Sequence, residues 1–133
     1  MPVPQSLSII TIGARDLGAL REFYLGWGWR KVAESTESWC AFDVGGCLLS
    51  IYPVDLLGDE AAPGLAVGDT GWNGITLAMN FATETELAAV FKSAVESGAT
   101  VVCRPMQRAW GGISGYIADP EGNRWELAHS PTH

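Results

Sequence analysis

Near its C-terminal end the chain reads GYIADPEGNRWELAHSP, where Glu126 is the lone carboxylate in a run of β-like residues. A carboxylate there can stand in solvent, ligate a metal ion, or form the polar floor of a pocket. Side chains alternate along a strand, so Trp125 and Leu127 share one face while Arg124, Glu126 and Ala128 share the other. The large apolar pair claims the core. Glu126 is therefore expected on the opposite face, which is either open solvent or the interior of a curved sheet. His129 lies three residues on, so parity puts it on the face away from Glu126. His133 is the terminal residue, and both histidines are expected to be structural or exposed rather than ligands.

A carboxylate in an aromatic, partly dry setting costs desolvation energy unless it is paired, so an arginine is expected to meet it or its pKa to rise. Arg124 and Arg104 are the candidates, and a structural Glu–Arg pair stands beside a ligand contact as an alternative. Of the six tryptophans, Trp125, Trp27 and Trp29 read as core. Trp110 and Trp72 sit beside glycines in RAWGGISG and GDTGWNG, in loops near strand starts where rings flank ligands. With Asn73, Trp39, Tyr52, Arg104 and Glu126 they form the candidate ligand-binding set.

Cys40 and Cys47 flank AFDVGG, a hairpin turning at Gly45 and Gly46 that sets Cys40 opposite Ile51 and Cys47 opposite Val44. The two thiols are out of register, and Cys103 is distant. The three cysteines are expected to be reduced and to pack as small apolar groups. A catalytic cysteine would need a base, and no histidine is near in sequence.

Two capped helices position these residues. Thr83 with Glu86 forms a capping box ahead of the stripe Leu87, Val90, Phe91, Ala94 and Val95, and Gly98 supplies the stop. Asp16 starts a second helix with the stripe Leu17, Leu20, Phe23 and Tyr24, ended by Gly26 and Gly28. Before them stand LSIITIG and GITLAMNF, in which Ile10, Thr11 and Ile12 align with Ile75, Thr76 and Leu77. After the first helix come RKVAES, SWCAFDV and CLLSIYP; after the second come TVVCRPM, GISGYIAD and NRWELAHS. The chain reads as a duplicated strand–helix–three-strand module, with module one over about 5–53, a linker over about 54–72 and module two over about 73–130. One helical turn near Leu56 fits the linker. Asp119, Pro120 and Gly122 fit a type I turn joining the last two strands.

The 133 residues are 47% apolar and 17% charged, a soluble single-domain composition with no apolar run of membrane-span length. The opening MPVPQSLSIITIGARD lacks a basic n-region, so a signal peptide is not expected and the cytoplasm is the expected compartment. Eight basic against fifteen acidic residues give a net charge of −7, which disfavours nucleic acid and anionic membrane as partners and would attract a cationic molecule.

The duplicated order, RDL…LREFYLGWGW and the closing GYIADPEGNRWELAHSP together resemble the vicinal oxygen chelate superfamily, which includes glyoxalase I, extradiol dioxygenases, methylmalonyl-CoA epimerase and bleomycin-resistance proteins. The resemblance implies an α+β fold of two tandem βαβββ modules forming a cupped, mainly antiparallel sheet around a cavity, and a homodimer. In metal-dependent members the ligands come from the first and last strands of each module. Here the closing DPxGNxxE pattern keeps its carboxylate as Glu126, whereas the matching positions fall on Ile9, on Gly74 beside Asn73, and on Leu49 or Ser50. One carboxylate binds metal weakly against water, so no metal cofactor is expected. The implied function is binding of a small organic ligand, cationic or aromatic, as in bleomycin-resistance proteins. The alternatives are a glyoxalase I-like or epimerase reaction with Glu126 as general base, and an assembly module.

Overall fold

The computed structural model describes residues 2–68 and 71–131, and the chain divides into two compact units, 1–67 and 68–133. Each carries an α+β module, and no helix among the described residues is long and apolar enough to cross a membrane.

Unit one opens with β1 (Ile9–Ala14) and α1 (Leu17–Gly26), followed by β2 (Cys40–Asp43), β3 (Leu48–Pro53) and α2 (Val54–Ala61). Asp16 caps α1 by accepting from the Ala19 amide at 3.0 Å, and the helix buries Leu20, Phe23 and Tyr24. Tyr24 stacks on Trp29 with ring centroids 5.3 Å apart and reaches Phe42 at 5.8 Å. The Trp27 ring meets Tyr24 edge-on, so Trp27 and Trp29, both half-buried, border the core through ring contacts rather than lying within it. The sheet order is β1-β3-β2, with β1 parallel and β2 antiparallel to β3. Cys40 stands opposite Ile51, as the hairpin spacing requires, and all three cysteines are free thiols.

Two expectations need correction in this unit. RKVAES is not a strand and contributes only an isolated bridge from Lys31 to Phe42. The Val32 amide still donates to the Ala41 carbonyl at 2.8 Å, but the Ser35 amide then turns back onto the Val32 carbonyl at 3.1 Å, ending the extended run before it can form a ladder. The linker helix is longer than a single turn: α2 spans 8 residues. Its N-terminus has no side-chain cap, because Pro53 precedes it, so the usual Ser, Thr, Asp or Asn signal is missing; Asp55 in its first turn complements the helix dipole instead.

Unit two comprises β4 (Thr76–Asn80), α3 (Glu84–Glu96), β5 (Thr100–Gln107), β6 (Ile113–Ala118) and β7 (Arg124–His129), in sheet order β4-β7-β6-β5. Thr83 caps α3 through its hydroxyl, which accepts from the Glu86 amide at 3.1 Å. Leu87, Phe91 and Ala94 are its buried stripe, and Gly98 ends it at φ 112°, a conformation only glycine adopts cheaply. The helix covers the sheet face that carries Gly115, Trp125 and Leu127, the last two 5% and 0% exposed. The β6–β7 turn is built as its sequence specifies, with the Gly122 amide donating to the Asp119 carbonyl at 3.0 Å.

Candidate functional site

The chemistry of unit two lies on the sheet face turned away from α3. Register sets a row across four strands: Ala78 on β4 beside Glu126 on β7, Glu126 beside Tyr116 on β6, and Tyr116 beside Cys103 on β5. The Tyr116 hydroxyl donates to Glu126 Oε2 at 3.0 Å. Arg108, just past β5, lays its guanidinium 5.5 Å from the Tyr116 ring centroid and donates from Nε to the Ser114 hydroxyl at 3.0 Å. Its Nη2 reaches the Ser114 carbonyl at 3.1 Å and Cys103 Sγ at 3.4 Å. Ser114 is wholly buried, so the arginine is fastened to a rigid point of the sheet.

Burial holds the Tyr116 hydroxyl above the ordinary phenol value of about 10; its hydrogen bond to Glu126 and that carboxylate's charge push the same way, and Arg108 opposes them. A raised folded-state value makes the neutral phenol part of the native state. Its contribution is complete below the unfolded value and is lost as pH rises through the folded one. The thermal midpoint of the native chain is therefore expected to exceed that of Tyr116→Phe by the largest margin near neutral pH, reflecting on the order of 1 kcal/mol for the hydrogen bond. That margin should shrink above pH 10; a difference independent of pH would refute the coupling.

Of the candidate ligand-binding residues named from sequence, only Glu126 enters this cluster. Neither arginine expected to meet it does so. Arg124 shares its face but donates Nη1 to the Gly122 carbonyl at 2.8 Å. Arg104 lines a hollow of about 340 Å³ with Phe91, Lys92, Val95 and Pro105, on the α3 side of the sheet. Trp72 and Asn73 shape the entry to β4, with Trp72 Nε1 donating to the Ile75 carbonyl at 3.0 Å and Asn73 Oδ1 accepting from the Ile75 amide at 3.2 Å. Trp72 is 60% and Trp110 55% exposed, the latter packing over Gly112 in the β5–β6 turn. Trp39 and Tyr52 are half-buried in unit one, Trp39 ahead of β2 and Tyr52 on β3. His129 faces away from Glu126 and its Nδ1 bonds the Phe81 carbonyl at 3.0 Å, a structural histidine; His133 lies outside the described residues.

The superfamily's metal site can be tested against this register. Gly74 lies ahead of β4, so the residue actually set beside Glu126 is Ala78. In unit one the last strand offers Ser50, beside Thr11 and Ala41, and Ser50 and Thr11 bond each other hydroxyl to hydroxyl at 2.7 Å. Methyl groups and mutually satisfied hydroxyls do not make a divalent-cation donor set. Among the described residues, no group of three or more His, Cys, Asp or Glu is placed to hold a metal ion. These described residues do not fit the metal.

An α+β module repeated in tandem, with a carboxylate on the closing strand of its second copy, defines the vicinal oxygen chelate superfamily. Residues 9–128 match the glyoxalase-like domain, and the chain belongs to that family. It is similar to a glyoxalase-related enzyme from Fulvimarina pelagi at 31% identity and TM-score 0.84, over 96% of this chain and 90% of that one. A glyoxalase/bleomycin resistance protein/dioxygenase from Nocardioides (19% identity, TM-score 0.82, 98% and 86% covered) and a lactoylglutathione lyase from Agrobacterium tumefaciens (21%, 0.72, 96% and 95%) share the fold. No curated protein matches the chain.

Proposed function

We propose that this glyoxalase-like protein binds a small organic molecule on the Glu126 face of unit two, after the manner of bleomycin-resistance proteins, rather than catalysing a metal-dependent reaction. The observation that carries this reading is the neighbourhood of Glu126: a phenol hydroxyl on one oxygen and the methyl group of Ala78 where a second metal donor would stand. A carboxylate so placed is an acceptor for an organic cation or hydrogen-bond donor, and the Tyr116 ring offers an aromatic surface beside it. The net charge of −7 draws cations toward the chain.

The test is a thermal-shift screen of cationic aromatic compounds followed by calorimetry. A ligand at 100 times its dissociation constant should raise stability by about 2.7 kcal/mol. Glu126→Gln is expected to weaken it about tenfold, the loss of one charge-assisted hydrogen bond. Protein incubated with zinc, nickel, manganese or iron and then dialysed is expected to retain far less than one ion per chain. Stoichiometric retention, or no ligand across a broad panel, would overturn the reading.

A second reading is favoured by the hydrogen-bonded Tyr116–Glu126 pair and by the 31%-identical neighbour named as an enzyme: Glu126 as a general base removing a proton next to a carbonyl. Glu126-dependent deuterium uptake at such a carbon would establish it.

A further inference from the structure

Arg108 is the feature of this face that ligand binding through Glu126 alone does not use. Every acceptor it reaches is neutral: the Ser114 hydroxyl, the Ser114 carbonyl and the Cys103 sulfur. The chain carries fifteen acidic residues against eight basic, yet among the described residues no carboxylate forms an ion pair with this guanidinium. It is half-buried, with its guanidinium carbon 5.5 Å from the Tyr116 ring centroid. A charge taken partly out of water and left without a counter-ion is costly unless something supplies one. The side chain is also immobilised in advance. Its Nε and Nη2 are spent on the sheet, which leaves Nη1 to meet an incoming group with little rotamer entropy left to lose.

The geometry points to Arg108 as an anion subsite one tyrosine ring away from Glu126, which makes the ligand of this face bipolar: a carboxylate or similar oxyanion at Arg108 and a cationic or hydrogen-bond-donating group at Glu126, with an apolar or aromatic body along Tyr116. This rests on the ligand-binding reading and narrows it. A simple cation meets attraction at Glu126 and repulsion at Arg108. A simple anion meets the reverse. Only a molecule carrying both charges is complementary to both ends, and the sulfur-lined patch of Cys103 and Met106, 3.8 Å apart, gives its body a polarisable surface to lie on. The competing explanation is that Arg108 merely braces the β5–β6 connection through Ser114, which predicts no charge selectivity.

Three probes of one skeleton separate these possibilities: phenylalanine as zwitterion, phenethylamine as cation and 3-phenylpropionate as anion, titrated calorimetrically into the full chain and into Arg108→Gln, Arg108→Lys and Glu126→Gln. Phenylalanine is expected to bind the native chain at least about tenfold more tightly than either singly charged probe. Arg108→Gln should cost about tenfold for the two carboxylate probes while leaving phenethylamine unchanged or tighter. Arg108→Lys, which keeps the charge, should retain more of the carboxylate preference than Arg108→Gln, with folding of each variant checked by its thermal midpoint. Equal loss for all three probes in Arg108→Gln would reduce the residue to a brace and overturn the inference, as would equal carboxylate affinity in native and Arg108→Gln protein. Glu126-dependent binding of phenethylamine with no gain from a carboxylate overturns the anion subsite while sustaining the proposed function; failure of all three probes to bind overturns the bipolar assignment and leaves the proposed function to the thermal-shift panel.

Discussion

Asp119→Ala is expected to cost about 3 kcal/mol of stability and to lower Tm by roughly 10 °C. The side chain is 4% exposed and its carboxylate is a hub. Oδ1 accepts from the Glu121 and Asn123 amides, both at 2.9 Å, and Oδ2 from Asn123 Nδ2 at 2.9 Å. Truncation leaves part-buried amide donors with no acceptor, and an unsatisfied donor costs more than the net worth of the bond it lost. Asp119→Asn retains an acceptor for the backbone amides but turns an N–H₂ group toward the Asn123 side-chain Nδ2, so its stability should fall between those of the native chain and Asp119→Ala. The turn also sets the register that puts Tyr116 opposite Glu126, and a slip of one residue would send the two to opposite faces. Urea unfolding with an unchanged midpoint for Asp119→Ala would show that the turn is held by something other than this carboxylate.

That turn shows why much of the fold is legible in the residues. Asp119, Pro120 and Gly122 specify local geometry, the caps at Asp16 and Thr83 specify helix starts, and the period-two pattern through Trp125 and Leu127 specifies the face of Glu126. Each is a short-range physical rule, and each is met. RKVAES and α2 mark the limit of such rules. The first has strand-forming composition, but a strand needs a partner along its length, and the backbone turns from Ser35 to Val32 and from Thr36 to Trp39 remove the chain after one bridge. The second is a helix without a capping side chain.

The candidate site is legible in the sequence at one residue. Glu126 is found by alternation, but its partners lie across the sheet, on strands whose register no local pattern states. β5 has register shifts between Val101 and Cys103 and again between Cys103 and Met106, so counting by twos along TVVCRPM misplaces its side chains. Arg104 reads as a neighbour of Glu126 and lies instead against α3. Arg108 carries no signal in sequence beyond being a cation in a glycine-rich loop. Its weight comes from three acceptors and a ring that the fold gathers around it.

Gly115→Ala should be nearly as damaging as the loss of Asp119, at about 3 kcal/mol, because it overfills the layer between the site strand and α3. A Cβ there would lie 2.8 Å from Phe91 Cε2, 2.8 Å from the Pro105 nitrogen and 2.9 Å from Pro105 Cδ. Phe91 belongs to the buried stripe of α3 and is 3% exposed, and Pro105 is ring-locked backbone of the adjacent strand, so neither neighbour can swing clear. β6 itself must then shift, and Gly115 sits between the two residues that build the site, Ser114 under Arg108 and Tyr116 under Glu126. Adding Phe91→Leu to Gly115→Ala relieves the side-chain clash and leaves the backbone one. The double variant should therefore regain part of the stability while ligand affinity stays low, since Pro105 still displaces the strand. Recovery of both properties together would locate the whole strain in the Phe91 ring, and a Gly115→Ala protein as stable as the native chain would show that the layer has room the close approach of these atoms denies.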